Sequence, residues 1–267
     1  MPYIKNLKDV IGNIALPLAR LYIRYSPFNL GKKLLWKHFS YRERDYLVRT
    51  QSGTKMQGKS IDLVQGYIYY FGIWEPNLTN FITTRLQKQS QRTFIDIGAN
   101  VGYFSLIASR LLPSGTVVSI EAFPQIYQKL LSNLEINSAL NVRTVNVAAT
   151  DSRRQIPMFH AGNQNEGATT SIADKFNSTP TLVEGLPLSE ILTEEEIQSI
   201  RLIKIDVEGA EYSVIQGMKI IIPKLKNDVE IIVEITPRAL GEKHMNEIFD
   251  TFRSAGFFPY VLPNSYD

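Results

Sequence analysis

Thr93-Phe-Ile-Asp-Ile-Gly-Ala-Asn-Val-Gly102 decides the fold class of this chain. An apolar strand ends in an acid, a glycine-bearing turn follows, and a helix opens behind it. In an α/β sheet this order sets backbone groups and one carboxylate at the carboxyl end of a strand, where such sheets bind ligands. The spacing is D-x-G-A-N-x-G, with Asp96 leading and glycines at Gly98 and Gly102, and not G-x-G-x-x-G. A dinucleotide loop must bring its backbone close to a pyrophosphate. Here an acid stands where that anion would sit, which suits a cationic, amine-bearing ligand.

Outward from this stretch the chain keeps a strand–helix rhythm. The apolar runs predict strands over 93–97, 116–121, 142–148, 202–207, 229–235 and 257–262, and helices over 101–112, 124–137, 210–224 and 242–255. Such alternation implies an α/β fold: a mostly parallel, Rossmann-like sheet with helices on both faces. The strands are nearly continuous apolar runs, as expected when both faces are covered. Between Asp151 and Ile200 the rhythm breaks into Gly, Asn and Thr, and a long loop inside a compact domain is usually functional. Upstream, 61–71 reads as a strand with Gly66 as a kink.

The 267 residues, 44% of them hydrophobic, suffice for one large α/β domain with an appendage. There is no cysteine, which excludes disulfides, thiolate zinc sites and Cys nucleophiles, and His38, His160 and His244 are too scattered to suggest zinc. Charge is uneven. Residues 1–60 hold twelve Lys/Arg against three Asp/Glu, whereas the rest holds seventeen against twenty-three. We therefore divide the chain into a basic helical N-terminal extension, 1–60, and a catalytic portion, 61–267. Apolar residues from Ile4 to Tyr25 fall at helical spacing, with Pro17 expected to bend or split the helix. The extension is expected to pack on the body, with peripheral membrane contact as the alternative. No apolar run is long enough to span a bilayer, and 11–19 lacks the pattern of a secretory signal. The expected location is the cytoplasm, with membrane association left open.

Several strand ends carry chemistry. Glu121 closes the second strand about 20 residues after the glycine loop, where an acid can hold a ribose diol; a solvated strand-end acid is the alternative. Ala149 and Asp151, after the third strand, are placed to reach an adenine amino group, or else serve a turn. In Lys204-Ile-Asp-Val-Glu208, period-2 alternation sets Lys204 and Asp206, and with them Glu208, on one side. Charges in so apolar a strand are costly unless paired. They form either a simple ion pair or a carboxylate cluster at the mouth of a site. Glu234 ends the fifth strand. Glu75, between Trp74 and Pro76, is a candidate to point into the cleft. His160 precedes the Asn163–Ser171 loop, as a catalytic or a structural histidine.

Four blocks now stand in order: F-G-I-W-E-P at 71–76, F-I-D-I-G-A-N-V-G-Y-F-S at 94–105, I-E-A-F-P at 120–124 and L-I-K-I-D-V-E-G-A-E at 202–211. Together they resemble the FkbM family of S-adenosylmethionine-dependent methyltransferases, over about residues 66–234. The third block usually reads E-P-x-P, a mild departure here. The resemblance implies a class I methyltransferase fold and, typically, O-methylation of a hydroxyl on a sugar or natural product. It carries cofactor binding onto Asp96, Gly98, Ala99, Asn100, Gly102 and Glu121. Such folds usually finish with a strand hairpin, whereas one strand is predicted here before Asp267.

S-adenosylmethionine has a sulfonium, an ammonium and no phosphate, which fits the acid-led loop. Methyl transfer is an in-line displacement, so positioning is a major part of catalysis. A sugar hydroxyl needs a base or a metal. Asp206 is the first candidate base, with Glu208 and His160 behind it. A Mg²⁺ on Asp206 and Glu208 fits hard-cation chemistry, although the sequence does not demand it. The partner is then a small-molecule or glycan acceptor. The rivals are an RNA methyltransferase using the basic arm, an NAD-dependent oxidoreductase, and an idle methyltransferase-like protein that binds membrane or RNA. Nucleic acid is the weaker partner, since stacking needs exposed aromatics beside the charge.

Overall fold

The computed structural model describes residues 15–40, 43–159, 180–235 and 237–263. It divides into two compact units, Met1–Trp74 and Glu75–Asp267.

In the first unit a helix α1 runs over 15–25 among the described residues, through Pro17. Then come α2 (Lys32–Phe39), an antiparallel hairpin of β1 (Asp45–Arg49) and β2 (Lys55–Lys59), and α3 (Leu63–Phe71). Leu16, Ala19 and Ile23 of α1 pack with Phe39 and Tyr70 into a small core. The stretch expected as a strand over 61–71 is helix α3. Asp62 caps it by accepting from the Gln65 N–H at 2.9 Å, and Gly72 closes it at φ 74°. Gly66 is no kink: a Cβ there would lie 2.8 Å from the Ser60 carbonyl oxygen, so close packing of backbone on helix is what requires it.

The second unit opens with α4 (Pro76–Leu86) and alternates through β3 (Thr93–Ile97), α5 (Tyr103–Leu111), β4 (Thr116–Ile120), α6 (Pro124–Ile136) and β5 (Val142–Val145). After a detour it resumes with β9 (Ile200–Ile205), α9 (Glu211–Met218), β10 (Glu230–Val233) and α10 (Pro237–Ser254). The sheet order is β10-β9-β3-β4-β5, every pair parallel. From β3 the chain first winds one way, to β4 and β5, and later the other way, to β9 and β10. The topological switch point therefore lies between β3 and β9, which is where open α/β sheets bind ligands.

The detour between is not mostly loop among its described residues. β6 (Ala148–Ala149), β7 (Arg154–Met158) and β8 (Thr181–Leu186) form a three-stranded sheet, followed by α7 (Leu188–Ile191) and α8 (Glu194–Ser199). The third strand expected over 142–148 thus splits, and its end joins another sheet. No strand follows α10 among the described residues. Phe258, Tyr260 and Val261 lie in the open with no neighbouring strand, so β propensity alone does not make one there. Among the described residues, no helix is long and apolar enough to cross a membrane.

Candidate active site

Strand register builds the site. Ser119 of β4, Asp96 of β3 and Lys204 of β9 stand side by side across three strands. Asp96 has no solvent exposure, and Lys204 is 2% exposed. The Ser119 hydroxyl donates to Ser105 Oγ at 2.7 Å, and Ser105 donates to Asp96 Oδ2 at 2.6 Å. Oδ1 faces the Lys204 Nζ at 3.6 Å. Lys204 also reaches Asp206 Oδ2 at 3.1 Å and donates to the Gly98 carbonyl at 3.4 Å. Its ammonium lies 5.4 Å from the centre of the Phe104 ring.

Burial works against the Lys204 charge, yet Asp206 and Asp96 hold its ammonium well above the ordinary lysine value. Burial also raises Asp96, against the opposing pull of Lys204 and Ser105. Glu234 follows β10, and its N–H donates to the Ile205 carbonyl at 2.9 Å, beside Asp206. Its side chain is open to solvent on one side. Even so, the protein around the carboxyl pushes its pKa up to about 8, with the negative charges of Asp206 and Glu75 adding to the rise. Glu75 is buried in a left-handed conformation (φ 43°) at the head of α4, and its charge is felt by Lys204 and Glu234 alike.

The loop after β3 is shaped by contact. Gly98 has φ 73°, and a Cβ there would sit 1.8 Å from the Asp206 carbonyl oxygen. Gly102 (φ 87°) starts α5, and a Cβ would meet Leu130 at 2.6 Å. Gly98 and Ala99 both donate their N–H to the Ile120 carbonyl at 3.0 Å. Asn100 takes φ 51°, and its side chain accepts from the Val101 N–H at 2.8 Å. Glu121 accepts from the Asn100 N–H and the Phe123 N–H, both at 2.9 Å. Burial raises it to about 7 despite those two bonds. Each carboxylate oxygen still has a second lone pair for a ligand hydroxyl.

The structure thus brings Glu75, Asp96, Asp206 and Glu234 around Lys204, with Gly98, Ala99, Asn100, Gly102 and Glu121 on the adjoining loop. Glu208 is not in line with Asp206. The strand ends at Ile205, so alternation stops, and Glu208 sits exposed in a left-handed turn (φ 49°). Ala149 is buried in the core. The Asp151 carboxylate accepts from Thr150 at 2.9 Å and pairs with Arg154. His160 and the 163–171 loop lie outside the described residues. Sequence reasoning passed over Ser105, Ser119 and Glu211. The first two become visible only through register; Glu211 is buried and accepts from the Gly209 N–H at 2.8 Å, holding the turn after Asp206.

As for a metal, no group of three ligating acids or histidines converges among the described residues. The cation between Asp96 and Asp206 is the Lys204 ammonium, so these residues do not fit a Mg²⁺. They do fit a ligand bearing positive charge: Asp206 and Glu234 are the acids of this group that reach solvent, and a pyrophosphate would meet them first.

A family model, the Methyltransferase FkbM domain, matches residues 96–259. The chain belongs to the FkbM methyltransferase family. This FkbM domain is 28% identical over 154 residues to Methyltransferase sdnD of Sordaria araneosa, covering 46% of this chain and 59% of that protein. It is 22% identical over 142 residues to Methyltransferase 1 of Beauveria bassiana, covering 46% and 57%. The chain therefore spans little more than half the length of these two relatives. Among solved structures it is similar to Methyltransferase FkbM from Methylobacillus flagellatus, at 16% identity, with coverage of 61% and 38% and a TM-score of 0.43. The O-methyltransferase TomG from Streptomyces achromogenes, solved with SAM, is 11% identical, covers 68% and 70%, and has a TM-score of 0.42. Both scores are low, and the assignment of the FkbM domain to the α/β class rests on its own strand order.

Proposed function

We propose that this chain is an S-adenosylmethionine-dependent O-methyltransferase acting on a hydroxyl of a sugar, glycan or natural product. The observation that carries this reading is the acid-rich mouth at the switch point of a parallel sheet. Glu75, Asp96, Asp206 and Glu234 outnumber Lys204, so the cleft attracts a sulfonium and an ammonium. Glu121, on the neighbouring strand end, has lone pairs free for a ribose diol. An NAD-dependent oxidoreductase fits less well, because its pyrophosphate would be repelled by the same carboxylates.

S-adenosylmethionine, when bound, supplies an electrophilic methyl group. The protein's part is to align the acceptor hydroxyl and remove its proton. Asp206 pairs with the Lys204 ammonium at 3.1 Å, which fixes where its carboxylate points. Glu234 stands beside it on the next strand end, with its pKa near 8. The two carboxylates act as a pair: Asp206 orients the hydroxyl, and Glu234 accepts its proton. Glu208, exposed on the rim, is the outer candidate, and His160 stays a candidate from the sequence alone.

Calorimetry with S-adenosylmethionine, its demethylated product and NAD tests the cofactor. Transfer of labelled methyl to a panel of sugars and small hydroxylated metabolites tests the acceptor class. Tight NAD binding without S-adenosylmethionine binding would sink the reading.

A further inference from the structure

Helix α1 has two apolar stripes where a surface helix needs one. Leu16, Ala19 and Ile23 face the core of the first unit. Leu18, Leu21, Tyr22 and Tyr25 recur at i, i+3, i+4 and i+7 on the roughly opposite side, and all four are exposed. The surface continues beyond the helix. The Tyr22 hydroxyl donates to the Leu30 carbonyl at 2.7 Å, which ties the connecting loop against that stripe. Phe28 and Leu30 are 71% and 85% exposed. In α2, Leu35, Trp36 and Phe39 turn toward the same small core, and Leu34 faces out at 74% exposure. Lys33 and Lys37 share the outward face with Leu34, by their spacing.

The charge on this surface has one sign. Residues 15–40 hold five Lys/Arg and no Asp/Glu. Arg24 lies 5.5 Å from the Tyr25 ring centre, and Lys32 donates to the Ser26 carbonyl at 2.7 Å, so cations border the apolar tips.

We propose that the outer face of α1, the 26–31 loop and α2 docks on an anionic lipid surface. Four of its exposed apolar residues, Leu18, Leu21, Leu30 and Leu34, are aliphatic. They gain nothing by stacking on nucleic-acid bases, which use aromatic faces. They gain by leaving water for an apolar phase. A second copy of this face would bring like charges together, whereas anionic headgroups beside an acyl boundary satisfy both the leucines and the cations. The docked face would hold the enzyme at a membrane surface, where lipid-linked or amphipathic acceptors concentrate. The inference rests on the first unit alone and stands whether or not the proposed methyl transfer is correct.

The test is flotation of the full chain with phosphatidylcholine vesicles, with and without phosphatidylserine, at low and high salt. Binding is expected only with phosphatidylserine, and weaker at high salt. The triple variant Phe28→Ser, Leu30→Ser, Leu34→Ser should reduce partitioning by roughly a hundredfold, because half-burying each side chain is worth about a factor of five. These side chains already face water, so circular dichroism and the thermal midpoint should stay unchanged. The variant Lys33→Gln, Lys37→Gln should lose about fivefold per charge at low salt. Absence of binding to phosphatidylserine vesicles at low salt overturns the proposal, and so does a folded triple-Ser variant that binds as well as the parent. A dimer or an RNA complex abolished by the triple-Ser change, in a protein that ignores vesicles, assigns the face to that partner instead.

Discussion

Replacing Lys204 with Met removes the ammonium that lies between Asp96 and Asp206 and keeps most of the side-chain volume. The two acids respond differently. Asp206 is open enough for water to compensate, with 28% of its side chain exposed, whereas Asp96 has no exposure and retains only the Ser105 bond. Breaking a buried pair from one side typically costs about 3–5 kcal/mol, because a charge is left without a partner. That is a large part of a usual folding free energy of about 5–15 kcal/mol. Asp96 can escape by taking up a proton, since burial already raises its pKa and loss of Lys204 raises it further. The sign follows. Above about pH 4 the unfolded chain has lost this proton while the folded variant keeps it. Stability is therefore full below that point and falls as pH rises toward the raised folded value, by about 1.4 kcal/mol per unit. Urea unfolding of parent and variant at about pH 5.5 and about pH 8 measures both the cost and its slope. The double variant Lys204→Met, Asp96→Asn should recover at least about 1 kcal/mol at the higher pH, because no charge remains to be buried. A Lys204→Met protein within about 0.5 kcal/mol of the parent at both pH values, the usual range for a surface change, would refute the buried-pair reasoning.

Gly98→Ala should lower stability by at least about 3 kcal/mol in denaturant unfolding, since it joins a left-handed backbone to a Cβ placed 1.8 Å from the Asp206 carbonyl oxygen. Glu121→Ala should weaken S-adenosylmethionine binding by about 1–3 kcal/mol in calorimetry, the usual cost of leaving a charged hydrogen-bond partner unmade. Asp206→Asn should lower turnover, through lost positioning of the hydroxyl, much more than it weakens S-adenosylmethionine binding. In the parent, kcat/KM for S-adenosylmethionine, which reports the free enzyme, should rise with pH through about 8 as Glu234 loses its proton, and Glu234→Gln should remove that inflection.

How much of this was legible before the structure varies from residue to residue. Asp96, Gly98 and Glu121 announce themselves because strand, turn and helix follow one another locally, so the acid and the glycine need no distant information. The Lys204–Asp206 contact is local as well, since the two residues are two apart where one strand ends. The attachment of Lys204 to Asp96 is not, because it depends on which strands are neighbours and in which register. Ser105 and Ser119 are invisible for the same reason: each is an ordinary serine until three strands are aligned. Helix α3 was misread because its run of apolar and aromatic residues suits either a strand or a buried helix, and Gly66 favoured the strand. The deciding signal was Asp62 as a cap. The opposite error occurs at 257–262, where strand-forming residues pair with no strand among the described residues.

The acid cluster has a consequence for binding as well as stability. Glu234, pushed up to about 8, and Glu121, up to about 7, both hold a proton more tightly than an ordinary carboxyl. Both values lie high because burial disfavours the charge, and in Glu234 the neighbouring acids add to it. A ligand that brings a sulfonium and an ammonium reverses the second effect, since an opposite charge within about 4–6 Å favours the ionised carboxylate. Binding should then expel protons. Affinity should rise with pH between about 6 and 8 and level off above, because linkage ties the slope to the protons released. Calorimetry at pH 7 in two buffers of different ionisation enthalpy reads the number of protons released directly. Glu234→Gln should reduce the release. A binding heat independent of buffer, with flat affinity across the same range, would mean that the ligand's charge does not approach these carboxylates, and the placing of the methyl donor over the β3–β9 switch point would fall with it.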